Sequence, residues 1–510
     1  MSCSKLFSGD LPELTYDIIK YLQNDYSTLY SCILVNRLWC RLAIPLLWEN
    51  PFSICTGNYN FIEMYLHNNL NNEFITKLNE YKIINNSLFT NTLFNYLSFL
   101  KYLNTHKFIT SVDKWFESVI RNRKFEIRDL FKDFDLVSKL IFKIFIENEI
   151  KLHTLEIWIP STYYITYFNE ILELILQNQN FIHNIENLKL YINFYDENMV
   201  FYNHILKVIH LHQNLKKILI GSGYESLCQS LLLSKDYNCS NTLNTITFYY
   251  VDFRVIINLD KILEQLNVLE SVHIINCSFL NDNSFTQQII NLSKPFKLKS
   301  LILNEVLQFE SFQQLLLKSG DYLENFGLEL NYGLSSRQAL LGLIIKHCKN
   351  IKFLDLCEFE HQTTYKIFDL IENIKQNLNY LSINIWKDNN LTNGSSIILK
   401  NLGQALPSKL EYLSLILTVK ESDFKAFLEN SQDVFINKLL IKLQRGSDNI
   451  SHYIKEYIMK RERVKYLAIE SIKDNNQLSD LRDEVMEFNI RVRSYFDLFI
   501  SANKFIKNID

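Results

Sequence analysis

At 510 residues the chain is too long for one compact core, so several domains or one elongated repeat array is expected. Hydrophobic residues make up 47% of it and aromatics 14%, with 11 glycines and 6 prolines, which excludes a disordered chain. Its 53 basic and 56 acidic residues leave a net charge of −3, which excludes a global attraction to nucleic acid or to an anionic membrane.

The first predicted element lies in SGDLPELTYDIIKYLQND, where Asp10 and Pro12 mark a helix start and Leu11, Leu14, Ile18 and Leu22 form an apolar stripe. After Asn24-Asp25 a second helix begins with Ser27-Thr28 as potential caps and carries Leu29, Cys32, Val35 and Trp39 on its own stripe. A third short helix ends near Leu47-Trp48, before Asn50-Pro51. Three short helices can hardly enclose that much apolar surface, so an exposed apolar face is expected.

In their order and spacing, Leu11-Pro12-Glu13-Leu14, Ile18, Leu22, Leu29, Val35, Asn36-Arg37-Leu38-Trp39 and Leu47-Trp48 resemble an F-box over residues 7–52. The F-box is the module that docks onto the Skp adaptor of cullin-RING ubiquitin ligases. The resemblance implies that Leu11, Pro12, Leu14, Ile18, Leu29 and Val35 supply the adaptor-binding surface, while Trp39 and Trp48 fix the helices. It departs from the family at Tyr26-Ser27-Thr28-Leu29, where many members have an Asp-Leu pair; Asp25 is the candidate for that capping role.

Residues 53–150 carry no strand repeat. Segments such as NYNFIEMYLHNNL and DKWFESVIRNRKF read as helices that connect the module to the repeats and cap their open end.

From residue 151 to 475 the pattern apolar-x-x-apolar-x-apolar recurs twelve times, from LHTLEI at 152 to VKYLAI at 464. Its central residues fall at 155, 188, 218, 246, 272, 301, 326, 354, 381, 413, 439 and 467. The mean spacing of about 28 lies within the roughly 20 to 29 of leucine-rich repeats. Amphipathic segments such as FNEILELILQNQ come after the strands, so one strand and one helix per repeat stack into a shared core. The expected class is α/β: a three-helix F-box, a helical connector, then a curved solenoid with a parallel concave sheet and convex helices. This part resembles the leucine-rich-repeat family. Only Asn193, Cys277 and Asn331 match the family's motif-closing Asn/Cys, so other groups must satisfy the loop backbone elsewhere. Residues 476–510 read as a closing helix and strand.

Alternation along the strands places Trp158, Tyr191, Tyr249, His273, Phe353, Tyr380, Tyr412 and Tyr466 on the concave face. Two readings stand for them: aromatic anchors of a protein-binding surface, or side chains covered by neighbouring loops or the terminal segments. Charges alternate in sign among Glu156, Lys189, Glu329, Asp355, Lys442 and Glu470, which disfavours nucleic acid.

No catalytic motif is present. Gly221-x-Gly223 stands between a strand and a helix, but Ser226 replaces a third glycine, and a loop is the better reading. His204, His210 and His212 lack a Cys or carboxylate partner at ligand spacing. Nine cysteines without C-x-x-C form neither a zinc pattern nor a disulfide framework. Neither cofactor nor metal is expected, and the segment MSCSKLFSGDLPEL lacks the apolar stretch of a secretory signal. With no apolar run long enough to span a bilayer, no membrane partner is expected either. The expected location is the cytoplasm, and also the nucleus if Arg121-Asn122-Arg123-Lys124 or Lys460-Arg461-Glu462-Arg463 acts as a signal rather than as solvated surface.

Together the two modules lead to a non-catalytic, substrate-recruiting ligase subunit whose partners are the Skp adaptor, cullin through it, and a target protein. The alternative is an interaction scaffold that uses the F-box without ubiquitination.

Overall fold

The computed structural model describes residues 11–23, 25–54, 59–66, 92–120, 127–159, 161, 165–192, 199–212, 214–222, 240–304, 307–329, 334–357, 363–385, 393–471, 490–501 and 504. The chain divides into two compact units, Met1–Asn244 and Thr245–Asp510.

The first unit opens with α1 (Pro12–Lys20), α2 (Tyr26–Ile33) and α3 (Arg37–Leu47). Pro12 stands at the start of α1, where its missing N–H costs nothing. The cap of α2 is Asp25, whose carboxylate accepts from the Thr28 N–H at 3.1 Å and the Thr28 hydroxyl at 2.8 Å; Ser27 and Thr28 lie inside the first turn. Asn36 caps α3 by accepting from the Trp39 N–H at 2.9 Å. The buried centre comprises Ile19, Leu29, Cys32, Ala43 and Leu46, with Leu22, Ile33, Trp39, Leu42 and Leu47 packed around it.

Aromatic stacking and backbone hydrogen bonds join this module firmly to the connector and the first strand. The Trp48 ring meets Tyr96 at 4.2 Å, Tyr65 at 5.5 Å and Phe61 at 6.4 Å between centroids. Phe52 packs on Tyr65, Phe108 and Phe145. The Glu49 carbonyl accepts from the Lys101 and Tyr102 N–H groups, both at 3.0 Å. Those amides open β1 (Tyr102–Asn104), a strand inside the segment expected to be wholly helical. Among the described residues of that segment lie the helices α4 (Phe61–Leu66), α5 (Thr105–Ile120) and α6 (Ile127–Glu147). Beyond it, β1 pairs in parallel with β2 (Thr154–Ile159), β2 with β3 (Asn187–Ile192), and β3 with β4 (Lys217–Gly221). The intervening helices are α7 (Ile165–Gln177) and α8 (Met199–His210).

The second unit holds β5 (Thr245–Tyr249), β6 (Ser271–Ile275), β7 (Leu298–Leu303), β8 (Asn325–Glu329), β9 (Phe353–Cys357) and β10 (Tyr380–Asn384). Three longer strands come next, β11 (Lys409–Leu417), β12 (Phe435–Leu443) and β13 (Val464–Ser471), and then a two-residue β14 (Arg491–Val492). Each pairs in parallel with the next in chain order. A crossover between parallel neighbours needs a dozen or more residues, and a helix forms part of most of them. These are α9 (Leu259–Gln265), α10 (Asn283–Asn291), α11 (Phe309–Ser319), α12 (Leu334–His347), α13 (Thr364–Ile374), α14 (Asn393–Ala405) and α15 (Glu421–Asn430).

Register obeys the repeat. Leu301, Phe326, Leu354, Leu381, Leu413, Leu439 and Leu467 stand opposite one another in succession, and all are buried. The exception is β6 against β7, where an irregularity after Val272 sets Val272 opposite Leu298 and Ile274 opposite Leu301.

Polar groups of one repeat also satisfy the backbone of the next. Cys277 Sγ accepts from the Val251 N–H at 3.4 Å, whereas Asn193 and Asn331 lie outside the described residues. Elsewhere serines take over: Ser395 Oγ accepts from the Thr418 N–H at 3.2 Å and Ser447 Oγ from the Val419 N–H at 3.0 Å. Helix ends receive long donors, as where Lys318 Nζ donates to the Leu292 carbonyl at 2.9 Å. Buried Arg463 donates to the Leu428 carbonyl at 3.2 Å, to the Ser431 carbonyl and to Ser431 Oγ at 3.0 Å, closing the end of α15. Close helix packing needs Gly403, where a methyl group would meet the Phe427 carbonyl oxygen at 2.7 Å.

This packing generates two stability tests. Arg463→Ala removes the buried donors to the Leu428 carbonyl and to Ser431, whose carbonyl keeps the Val434 N–H, and is expected to cost about 1–3 kcal/mol, read as a lower urea midpoint. His212 is buried, its Nδ1–H donating to the Val208 carbonyl at 2.8 Å, and burial lowers its pKa from 6.5 to about 4. Between those values the unfolded chain binds a proton that the folded chain refuses, so stability falls as pH drops through that window and is full above it. Denaturant midpoints from pH 7 to 4 should lose roughly 3 kcal/mol more in the wild type than in His212→Leu.

Candidate functional site

Two surfaces hold the residues that the sequence singles out. The first is on α1, whose buried side is Thr15 and Ile19, with the Thr15 hydroxyl donating to the Leu11 carbonyl at 2.8 Å. That orientation turns Leu14 and Ile18 outward, 39% and 40% exposed, in line with Tyr21 at 91%. Leu11 and Pro12 are half-buried at the helix start. At the turn between α2 and α3, Leu34 is 73% exposed and Val35 48%. Five large apolar side chains in solvent on a module this small form an unusual surface.

Leu29 does not belong to it. The residue is fully buried against Ile19, Ala43 and Leu46, because the buried side of α2 runs through Leu29 and Cys32. The helix ends at Ile33, so Val35 leaves the stripe that a continued helix would have given it.

The second surface is the sheet face opposite the buried leucines. In the first unit Trp158 stands beside Tyr191 in register, with ring centroids 6.4 Å apart. The His106 ring covers Trp158 at 4.6 Å, and Thr105 Oγ1 accepts from the Trp158 N–H at 3.0 Å. Tyr191 is buried next to Gly221, where a methyl group would meet the Leu190 carbonyl oxygen at 2.8 Å and the Tyr191 ring at 3.4 Å. Gly221 therefore makes room for backbone and ring at the end of β4; Gly223 and Ser226 lie outside the described residues.

In the second unit Thr247, His273, Ser300, Asn325, Phe353, Tyr380, Tyr412, Lys438 and Tyr466 succeed one another across β5 to β13. His273, Ser300 and Asn325 are buried and linked, Ser300 Oγ lying 2.7 Å from His273 Nδ1 and 2.9 Å from Asn325 Nδ2. Tyr249, Ile275, Ile302, Phe353 and Tyr380 form an apolar cluster on this face. Burial pushes the Tyr249 hydroxyl up to about 12, with Tyr250 adding to the shift.

Phe353 and Tyr412 are fully buried, and Tyr191 and His273 nearly so, so for these four the reading of side chains covered by other parts of the chain applies. Trp158, Tyr249, Tyr380 and Tyr466 keep partial exposure. For Tyr412 the cover is the chain's own C-terminal segment. After β14, a short helix α16 (Tyr495–Leu498) sets Tyr495 against Tyr412, Ile416, Leu440 and Ala468, with Leu498, Phe499 and Ile500 around it. Tyr412 Oη accepts from the Ile500 N–H at 3.1 Å, and Tyr495 Oη lies 3.3 Å from Ser414 Oγ. Burial, as the main cause, pushes the Tyr412 hydroxyl up to about 12 and that of Tyr495 up as well, so both stay protonated.

Among the described residues no group of three or more His, Cys, Asp or Glu side chains could hold a metal ion. Among them, too, no helix is long and apolar enough to cross a membrane.

No protein-family model matches the chain. No match is found among curated proteins. Among solved structures it is similar to "Crystal structure of Rad7 and Elc1 complex in yeast", at 12% identity and a TM-score of 0.39, over 72% of this chain and 90% of that one.

Burial separates the residues first grouped as one docking set. Leu29→Ala should cost about 2–5 kcal/mol in chemical unfolding through the cavity it leaves. Leu14→Ala and Ile18→Ala should each stay within roughly 1 kcal/mol.

Proposed function

We propose that this chain is the substrate-recruiting, non-catalytic subunit of a cullin-RING ubiquitin ligase, its N-terminal module an F-box docked on the Skp adaptor and its repeats the target-binding part. The observation that carries the reading is the outward stripe of Leu14, Ile18 and Tyr21, with Leu34 and Val35, on a three-helix module whose own core is already closed by Ile19, Leu29 and Leu46. Apolar side chains left in water next to a satisfied core favour burial against a partner by roughly 25 cal/mol per Å² covered.

The join between module and sheet suits that role. Trp48 on Tyr65 and Tyr96, and Glu49 on the amides at the start of β1, tie the docking helices to the first strand. Rate enhancement then comes from the effective concentration of target lysines near a ubiquitin-loaded enzyme. No reactive side chain of this chain takes part.

Co-purification tests it. Tagged wild-type chain should retain the Skp adaptor and cullin, and Leu14→Asp with Ile18→Asp should weaken retention at least tenfold while thermal unfolding stays near that of the wild type. Absence of the adaptor from the wild-type complex, or retention unchanged by the double variant, contradicts the assignment. Adaptor without cullin would favour the scaffold alternative.

A further inference from the structure

The C-terminal segment of the second unit behaves on the sheet face as a bound peptide would. Its backbone pairs over only two residues of β14, and α16 has four residues, too short to be stable alone. Beyond β14 its most buried side chain is Tyr495, 5% exposed, with Leu498, Phe499 and Ile500 partly buried around it, whereas its neighbour Phe496 is 69% exposed; Ile490, just before β14, is 4% exposed. The floor beneath the anchor mixes apolar and hydroxyl groups: Ile416, Leu440, Ala468, Ser414 and Tyr412. Tyr412 Oη captures the Ile500 backbone amide, a contact open to any sequence. Lys442, paired with Glu470 at 2.8 Å, places its ammonium 5.4 Å from the Tyr495 ring centre and 5.6 Å from that of Phe496.

We infer that the face of β11 to β13 is a peptide-recognition groove for a partner segment presenting a tyrosine followed within about five residues by aliphatic or aromatic side chains, and that residues 493–501 occupy it in cis until such a segment displaces them. The inference rests on the reading of the repeats as target-binding and narrows the class of target. The aromatic row continues past the covered part, Tyr380 touching both Tyr412 and the Phe353 cluster, so an incoming segment has a partly open place to start beside the occupied one. Elements with few buried contacts open well below the free energy of global unfolding, which is what exchange of one occupant for another requires.

The probe is a fluorescein-labelled peptide of residues 493–501, RSYFDLFIS, added to the full chain. Tyr495→Ala removes the cis anchor and should bind the peptide at least tenfold more tightly than the wild type, and Tyr412→Ala added to it should abolish the gain. Equal binding by wild type and Tyr495→Ala, or binding unaffected by Tyr412→Ala, overturns the inference. Hydrogen exchange on the wild type decides independently if a variant fails to fold. The Ile500 amide should exchange at least a hundredfold faster than the amides of β12, and exchange at the same rate would make the segment a permanent part of the fold. Neither assay contains adaptor, so either can fail while adaptor docking stands, and the reverse.

Discussion

The apolar positions of each strand in this chain leave water only because the neighbouring strand repeats the same spacing. A strand and its helix have no core of their own, so every leucine from Leu301 to Leu467 depends on the register with the copy before and the copy after. That dependence explains why polar capping also crosses from repeat to repeat. Cys277, Ser395, Ser447, Lys318 and Arg463 each satisfy a backbone group belonging to another repeat, since a group left without a partner in a stacked array has no water to turn to.

The same constraint shapes both surfaces. Because one side of every strand is committed to the core, the alternate side chains of each unit line up on the opposite face of its own strands, where packing of the aromatic members removes apolar surface from water. Some are packed by neighbours, as His106 covers Trp158, and some by the C-terminal segment, as Tyr495 covers Tyr412. The N-terminal module solves its own burial differently. It closes a small core with Ile19, Leu29, Cys32, Ala43 and Leu46 and leaves Leu14, Ile18, Tyr21, Leu34 and Val35 outside.

The twelve motif centres read from the sequence all fall in β2 to β13, because the period of the pattern is the physical requirement for stacking. The strand β1 is not legible in that pattern: its motif, L-K-Y-L-N-T at residues 100–105, has Thr105 where a third apolar residue is expected. The slip between β6 and β7 is equally hidden, since a bulge leaves no mark in the apolar spacing. The outward row is legible residue by residue from alternation alone. Its cover is not, because Tyr412 meets Ile500 across 88 positions of chain, a contact that no local pattern encodes. The burial of Leu29 differs from what the F-box resemblance implies for it: spacing puts Leu29 on an apolar stripe without saying whether that stripe faces the module's own core or a partner.

In the proposed assembly the outward apolar face of the N-terminal module is buried by an adaptor of the Skp class. Hydrogen–deuterium exchange of the full chain, alone and with purified Skp adaptor, tests it most directly. New protection is expected at residues 12–21 and 34–36 on adding adaptor, with β5 to β13 unchanged. Protection confined to the strands, or no change at α1, would contradict it.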